Sequence, residues 1–296
     1  MQTRATTCGG FTLVELIVVI VIGGIIAAMI GVFIVRPIQG YDAQVRRAEL
    51  VDTAEGALRR MQREIRRALP NSVRAAPEGN GNGRVLEIIP TLDGGRYREE
   101  PPGGPAQRLN FATADTDFDA LGNLVCTTDP TVTGPCATYS NPNHWVAIYN
   151  LGQPGADAYA GTNVVSVGST LTVTSGGVTD HINLNPGFDF AFRSPTQRFF
   201  IVTSPISYVC DSAARTLTRY QGHPLRTPQT LVDTNAELSA LAPGALMARN
   251  VVSCDMEYQP GTTERAGLVI IGLTIQDPDT NENIRLLHQV HVDNVP

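Results

Sequence analysis

The chain has 296 residues, of which 42% are hydrophobic and 17% are charged, and its formal net charge is −6. This composition predicts a folded protein of one or two compact domains and excludes a chain that is disordered overall. Residues 1–70 carry nine positive and six negative side chains, whereas residues 71–296 carry thirteen positive and twenty-two negative ones. The two segments therefore have opposite net charge.

The first predicted element is an apolar run at residues 8–35, which reads CGGFTLVELIVVIVIGGIIAAMIGVFIV. It is long enough to cross a bilayer as one helix. A secretory signal places its cleavage site after the apolar core, but here the small pair Gly9-Gly10 precedes it, so cleavage would leave the helix attached. Arg4 is the only charge ahead of the run, and a positive flank stays in the cytoplasm, which predicts a body on the opposite side.

Glu15 is an acid inside this apolar run. An ionised carboxylate in hydrocarbon costs about 3 kcal/mol or more, so its presence indicates a functional site. If the chain is cut between Gly10 and Phe11, the new α-amino group is a cation that can pair with Glu15 in the same chain or in a neighbour. The alternative is that Glu15 lies near the membrane edge and reaches water.

The residues around this position, Gly10-Phe11-Thr12-Leu13-Val14-Glu15-Leu16, resemble the processing site of type IV prepilins and pseudopilins. The resemblance implies that a prepilin peptidase cuts after Gly10 and methylates the amine of Phe11. It also implies that Glu15 meets the N-terminus of an adjacent subunit during assembly. The predicted organisation is then a leader over 1–10, a transmembrane and assembly segment over 11–35, an amphipathic helix over 36–70 and a β-rich globular domain over 71–296.

The second predicted element is a helix that continues from the membrane run to Pro70-Asn71. Pro37 lacks a backbone N–H, so the sequence predicts a kink or a local opening there. Apolar residues from position 50 onward share one arc of the helix, which we expect to be buried: Leu50, Val51, Ala54, Ala57, Leu58, Met61, Ile65, Ala68 and Leu69. Arginines occupy the opposite arc, with Glu55/Arg59 and Arg60/Glu64 spaced as ion pairs.

The arginine arc has three interpretations. Clustered basic residues can bind nucleic acid, but the acidic body makes complementary contact between subunits the simpler functional interpretation. A merely solvated helix face is the third. We expect no nucleic-acid partner.

Beyond residue 70 the chain has short β-rich runs separated by Gly, Pro, Asn and Asp, which predicts an antiparallel β-sheet domain and hence an α+β fold. The predicted strands are 85–89, 108–112, 145–150, 170–174, 188–192, 198–203, 206–210, 216–220, 251–258, 268–276 and 284–292. The last two form a hairpin around DPDTNEN. In the final strand Ile284, Leu286, His288, Val290 and Val292 share one face.

Four cysteines remain once the leader, with Cys8, is removed, and they permit three disulfide connectivities. An oxidising compartment favours pairing. We predict Cys126–Cys136, which brackets a proline-containing loop, and Cys210–Cys254, which joins two strand-like runs.

Metal and catalytic motifs are weak in this sequence. No C-x-x-C occurs and the histidines are scattered, so zinc is not expected. Asp277, Asp279 and Asn281 in the DPDTNEN loop are calcium candidates, although an ordinary polar turn is the simpler interpretation. No nucleophile elbow, H-E-x-x-H or dinucleotide fingerprint is present, so we expect neither an enzyme nor a cofactor.

Several longer segments resemble minor pilins of the mannose-sensitive haemagglutinin (MSHA) pilus, of the O type. They are VRRAELVDTAEGALRRMQREIRRALPNSVR, RFFIVTSPISYVCD, LTRYQGHP, LMARNVVSCDMEYQPG and HQVHVDNVP. The resemblance implies an inner-membrane protein with a periplasmic C-terminal domain that later enters a filament and initiates or caps it near the tip, with a part in adhesion. Its implied partners are major and minor pilin subunits, the prepilin peptidase and the assembly platform of the inner membrane. The alternatives are a J-type minor pseudopilin of type II secretion and a tip adhesin or DNA-uptake subunit.

Overall fold

A computed structural model of the chain describes residues 10–79, 81, 83–100, 107–124, 138–141, 144–165, 171–175, 179–261 and 266–294. The chain divides into two compact units, Met1–Leu50 and Val51–Pro296. The described residues include a long N-terminal helix and a domain of antiparallel β-sheets. The predicted α+β fold class is therefore confirmed.

The N-terminal helix consists of α1 (Leu13–Ile30), a π-helical turn (Gly31–Val35) and α2 (Arg36–Ile65). No residue of α1 is buried. In length and composition the helix is sufficient to cross a membrane. The apolar run is thus helical as predicted, and its side chains have no core of their own to enter.

The region around Pro37 departs from a regular α-helix. Pro37 lies in the first turn of α2, directly after the π-helical turn. A proline donates no hydrogen bond to the carbonyl four residues earlier, which here belongs to Phe33 inside that turn. The widened turn therefore lies where the helical hydrogen-bond pattern is already interrupted.

The helix ends at Ile65, five residues before the predicted end at residue 70. Ala68 forms an antiparallel bridge with Pro90, and the N–H of Leu69 donates to the carbonyl of Ile89 at 2.7 Å. Beyond Ile65 the N–H groups of Arg67 and Ala68 donate to the carbonyls of Glu64 and Ile65, three residues earlier, and the sheet-type contacts follow. The prediction of helix over 36–70 was therefore wrong after Ile65. Val51 is also not buried as predicted, since it is 40% exposed.

Fifteen strands are present among the described residues. They are β1 (Arg74–Pro77), β2 (Gly83–Ile88), β3 (Thr91–Arg96), β4 (Asp115–Asp119), β5 (Thr138–Asn141), β6 (His144–Ala147), β7 (Leu171–Ser175), β8 (Asp180–Phe188), β9 (Arg198–Thr203), β10 (Ile206–Asp211), β11 (Thr216–Gln221), β12 (Gly244–Arg249), β13 (Val251–Gln259), β14 (Gly267–Gln276) and β15 (Asn283–Val292). A short helix, α3 (Asn235–Leu241), precedes β12.

The strands form four sheets in the orders β1-β2-β10-β11-β12, β13-β14-β15, β3-β9-β6 and β4-β8-β7-β5. The chain passes twice between the first and third sheets, once from β2 to β3 and once from β9 to β10. In the first sheet β2 pairs with β10, and in the third sheet β3 pairs with β9. The change of sheet occurs at Pro90, whose carbonyl accepts from the N–H of Thr203 at 3.2 Å.

The predicted strands were partly wrong in the middle of the chain. Residues 108–112 contain no strand, and the strand predicted at 188–192 is replaced by β8, which ends at Phe188. The prediction also missed β1, β3, β4, β5, β12 and α3. Short strands such as β3 and β4 contain Gly and Asp, which have low strand propensity, so pairing with a neighbour decides them.

The β domain is built around several groups of buried apolar residues. One includes Tyr97, Phe118 and Phe199 beneath the third and fourth sheets. A second group joins Leu69 and Ile89 to Trp145, Tyr159 and other residues. Leu69, four residues beyond the end of the helix, is therefore part of the domain core.

Candidate functional site

The predicted processing site lies in non-helical chain at the start of α1. Gly10, Phe11 and Thr12 precede the helix, and Thr12 is its N-cap with an extended backbone. The N–H of Glu15 donates to the side-chain oxygen of Thr12 at 3.3 Å. The bond between Gly10 and Phe11 is consequently outside the helical hydrogen-bond network. The T-x-x-E spacing of Thr12 and Glu15 is the sequence signal of this cap.

Glu15 occupies the first turn of α1. An acidic side chain in the first turn interacts favourably with the positive end of the helix dipole. Its surroundings are exposed: Phe11 is 78% and Leu13 is 74% exposed. A cation that pairs with this carboxylate could therefore come from outside the helix.

The segment that contains this site matches a known family model. Residues 6–31 match the prokaryotic N-terminal methylation motif. The chain carries a type IV pilin-like processing signal. The methylation motif indicates a pilin-like or pseudopilin protein, implies processing by a prepilin peptidase and is consistent with membrane anchoring by the apolar helix. No curated protein and no solved structure matches the chain.

The sheet domain contains a disulfide between Cys210 of β10 and Cys254 of β13, whose Cα atoms are 6.3 Å apart. This is the pair that the strand-like runs predict. It connects the five-stranded sheet with the β13-β14-β15 sheet across 44 residues of sequence. The other predicted pair, Cys126–Cys136, lies outside the described residues.

The C-terminal half of α2 is attached to the sheets by two groups of polar contacts. Glu64 accepts hydrogen bonds from Arg219 at 2.8 Å and from Tyr208, and it pairs with Arg60. Burial opposes ionisation of Glu64, but these hydrogen bonds, with that of Arg219 the largest, outweigh it and lower the pKa of the carboxyl group. The contacts therefore stabilise the charged form of Glu64.

Nearer the membrane helix, Glu55 pairs with Arg59 at 2.6 Å and lies 3.1 Å from His288 of β15. The hydrogen bond from Arg59 lowers the pKa of Glu55. Both ion pairs predicted along the helix are thus formed. Sequence spacing could not reveal that Glu55 and Glu64 also contact the sheets, because those partners are more than a hundred residues away.

A second polar cluster is buried between the first sheet and the loop after β11. Glu87 is fully buried and pairs with Arg74 at 2.8 Å, while the guanidinium group of Arg74 lies 3.6 Å from the ring centre of Tyr159. Burial raises the pKa of Glu87 to about 7. Arg74 also donates to the carbonyls of Arg226 and Thr227, each at 2.8 Å. This cluster holds the loop against the sheet.

Beside it, the Nε2 atom of buried His223 lies 3.0 Å from the Ser207 hydroxyl. Burial lowers the pKa of His223 to about 4, so this imidazole is neutral near pH 7. Ser207 and His223 belong to no sequence motif, so their pairing could not be predicted from the sequence. Since both residues are fully buried, we interpret the pair as part of the domain interior.

The calcium candidates belong to a hydrogen-bonded turn between β14 and β15. The carboxylate of Asp277 accepts from the N–H groups of Asp279 at 2.8 Å and Thr280 at 3.2 Å, and the carbonyl of Asp277 accepts from Asn281. Among the described residues, no group of three or more His, Cys, Asp or Glu is placed to hold a metal ion. The geometry of this loop is that of a polar turn.

Proposed function

We propose that this protein is a minor subunit of a type IV filament of the MSHA type, which initiates or caps the filament near its tip. The observation that carries the proposal is the methylation motif at residues 6–31 on an exposed apolar helix. Gly10 is the cleavage position, Phe11 the methylated residue and Glu15 the partner of a neighbouring subunit's N-terminal amine. The role is structural and includes no catalytic step or cofactor.

Two further features support a minor rather than a major subunit. The β domain has fifteen described strands in four sheets, which is a large body to repeat along a filament. The MSHA-type resemblance is strongest in residues 10–75 and 198–296. The proposed location is the inner membrane with the β domain in the periplasm, followed by incorporation into a pilus at the cell surface.

The first test is the intact mass of the protein recovered from membranes. We expect the wild-type chain to begin at a methylated Phe11, whereas Gly10→Glu leaves the full-length chain. Glu15→Gln is the matched variant, because it retains the cleavage position and removes only the carboxylate. We expect it to be cleaved normally but to be lost from the filament fraction. A wild-type chain that still begins at Met1 would contradict the processing role.

The second test separates the pilus from a secretion pseudopilus. In the strain that carries the gene, we expect its deletion to remove surface filaments and leave the export of folded enzymes unchanged. The opposite result, normal filaments with blocked export, would favour the J-type pseudopilin alternative. Deletion that leaves the filament intact but removes only surface attachment or DNA uptake would favour a binding subunit at the tip.

A further inference from the structure

The last strand, β15, is an edge strand with an uninterrupted register. It pairs with β14 over all ten of its residues, and no other strand lies beside it in the described part of the chain. Its sequence, NIRLLHQVHV, contains no proline. β15 therefore presents a long and regular sheet edge.

The other edge strands among the described residues are short or irregular. β1, β5 and β6 have four residues each, and β1 ends with Pro77. The pairings of β3, β4, β12 and β13 each contain a break in register. Such features hinder pairing with a further strand, and β15 has none of them. A long regular edge is a surface on which another strand can add.

The hydrogen-bond pattern leaves the outer backbone groups of β15 unpaired. At its hairpin, the N–H of Asp277 donates to the carbonyl of Glu282 at 2.8 Å, whereas the N–H of Gln276 donates to the next strand at 2.9 Å. In the antiparallel pattern these bonds direct the N–H and C=O groups of every second residue of β15 away from β14. The residues with outward groups are Asn283, Arg285, Leu287, Gln289 and His291. All five are exposed, and these backbone groups make no hydrogen bond to any described residue.

On the core side of the sheet, the apolar side chains of β15 are incompletely covered. Ile284 and Leu286 are only partly buried. Their cross-strand neighbours in β14, Ile275 and Leu273, are at most 1% exposed. Apolar residues of one further strand would extend this cover, because they would remove more of Ile284 and Leu286 from water.

The opposite face of β15 favours an acidic neighbour. The strand contains Arg285 and no aspartate or glutamate, although residues 71–296 carry a net negative charge. Arg285 pairs with Asp255 of β13 at 2.7 Å, yet its side chain remains 63% exposed. A guanidinium group has five N–H donors, so Arg285 can bind a second carboxylate. Opposite charges on adjacent strands attract each other.

We propose that β15 binds an extended acidic segment of another protein chain, which adds to the sheet as a further antiparallel strand. Apolar residues of the segment cover Ile284 and Leu286, and carboxylates at the alternate positions face Arg285. Main-chain hydrogen bonds to the edge and side-chain contacts on alternate residues are the two parts of such recognition. All of these observations concern the β13-β14-β15 sheet, so the proposal does not depend on the filament role.

An acidic strand of a partner fits this edge better than β15 of a second copy. Pairing β15 with itself would join two strands that each contain an arginine and no acidic residue. Like charges on adjacent strands destabilise a sheet, and the Arg285 side chains would gain no carboxylate.

The test measures binding of a fluorescent decapeptide, in which valine alternates with glutamate, to the full chain in detergent micelles. We expect Gln289→Pro to weaken binding about tenfold or more, because proline lacks the outward N–H group that the peptide would use. The pairing with β14 does not use this N–H group, so the fold should persist. Gln289→Ala is the matched control, since it retains the N–H group and removes only an exposed side chain. Unchanged binding by Gln289→Pro, or equal weakening by both variants, would overturn the proposal.

Modified peptides test the same contact without any change to the protein. In an antiparallel pair the glutamate nitrogens face β15, whereas the valine nitrogens face away. We expect N-methyl groups on the glutamate nitrogens to weaken binding about tenfold relative to N-methyl groups on the valine nitrogens. Equal binding of the two methylated peptides would overturn strand addition.

Two further measurements test the nature of the partner. A decapeptide with lysine in place of glutamate should bind about tenfold more weakly, and equal or tighter binding would overturn an acidic partner. Analytical ultracentrifugation of the full chain in detergent should show the same monomeric size for the wild type and Gln289→Pro. Wild-type dimers that are lost in Gln289→Pro would assign the edge to a second copy and overturn the proposal.

Discussion

Apolar side chains are exposed at the N-terminal end of the long helix and buried at its C-terminal end. In α1 no residue is buried, although almost all are apolar. In the last turns of α2, Ala54, Ala57, Leu58, Met61 and Ile65 are at most 5% exposed. Apolar residues that no core covers require another apolar environment, which for α1 is lipid or a neighbouring helix. The difference indicates that the apolar side chains of α1 are available for contacts outside the chain, whereas the end of α2 is part of the domain core.

The largest change in stability is expected from removal of the disulfide, which stabilises the β domain alone. A cross-link that closes a loop of this length contributes about 4 kcal/mol in the chain-entropy model. We expect the double variant Cys210→Ala, Cys254→Ala to lower the melting temperature of the domain, as measured by near-ultraviolet circular dichroism in detergent. The helical signal of α1 should persist above that transition. An unchanged melting temperature would contradict a stabilising role for the bridge.

The next effect tests the buried face of α2. Leu58→Ala removes a side chain that is 1% exposed, and such a change costs about 3 kcal/mol. Val51→Ala on the same helix is the matched control, since Val51 is 40% exposed and should have a small effect. Denaturant unfolding of the two variants measures the difference. Equal losses would mean that the helix is not divided into an exposed and a buried part as described.

A smaller effect is expected from Glu64, which attaches α2 to β10 and β11. Glu64→Gln should cost about 2 kcal/mol near pH 7, because it leaves Arg219, 10% exposed, without its charged partner. Glu55→Gln, whose partner Arg59 is 66% exposed, should cost less than about 1 kcal/mol. Urea unfolding of both variants measures this ranking. The reverse order would contradict the importance of burial.

The pH dependence of this contact has a defined sign. The pKa of Glu64 is lowered in the folded protein, so its stabilisation is present above the ordinary value of 4.5 and is lost as the pH falls through the folded pKa. Urea unfolding of the wild type should show this decline below pH 4.5, and Glu64→Gln should make it shallower. An identical slope in both proteins would contradict the assigned ionisation.

For Glu87 the pH dependence has the opposite sign. Its pKa is raised to about 7, so its contribution is fully present below the ordinary value of 4.5 and declines as the pH rises through 7. Glu87→Gln should flatten the stability profile between these values. The free energy of unfolding measured across this range tests the prediction. A steeper decline in the variant would show that the ion pair with Arg74 dominates over burial.

The N-terminal segment was predictable because its chemistry is local. An apolar run, a small residue before it and an acid in its first turn are close in sequence, and they led to the methylation motif without any fold. The buried arc of α2 was predictable in part, since helical periodicity places Leu58 and Met61 on one face. The strands in the middle of the β domain were not predictable from the sequence, because β3 and β4 become strands only by pairing with distant partners.

By itself, the sequence determined the membrane-type helix, its processing signal, the amphipathic face of α2 and the long C-terminal strands, all of which depend on periodic or adjacent residues. Tertiary structure alone decided where α2 stops, since the β-type contacts of Ala68 and Leu69 with Pro90 and Ile89 compete with helical ones. It also decided that β15 has an open edge among the described residues. Local alternation predicts the strand and its hairpin with β14, but the neighbours of a strand depend on residues that are distant in sequence.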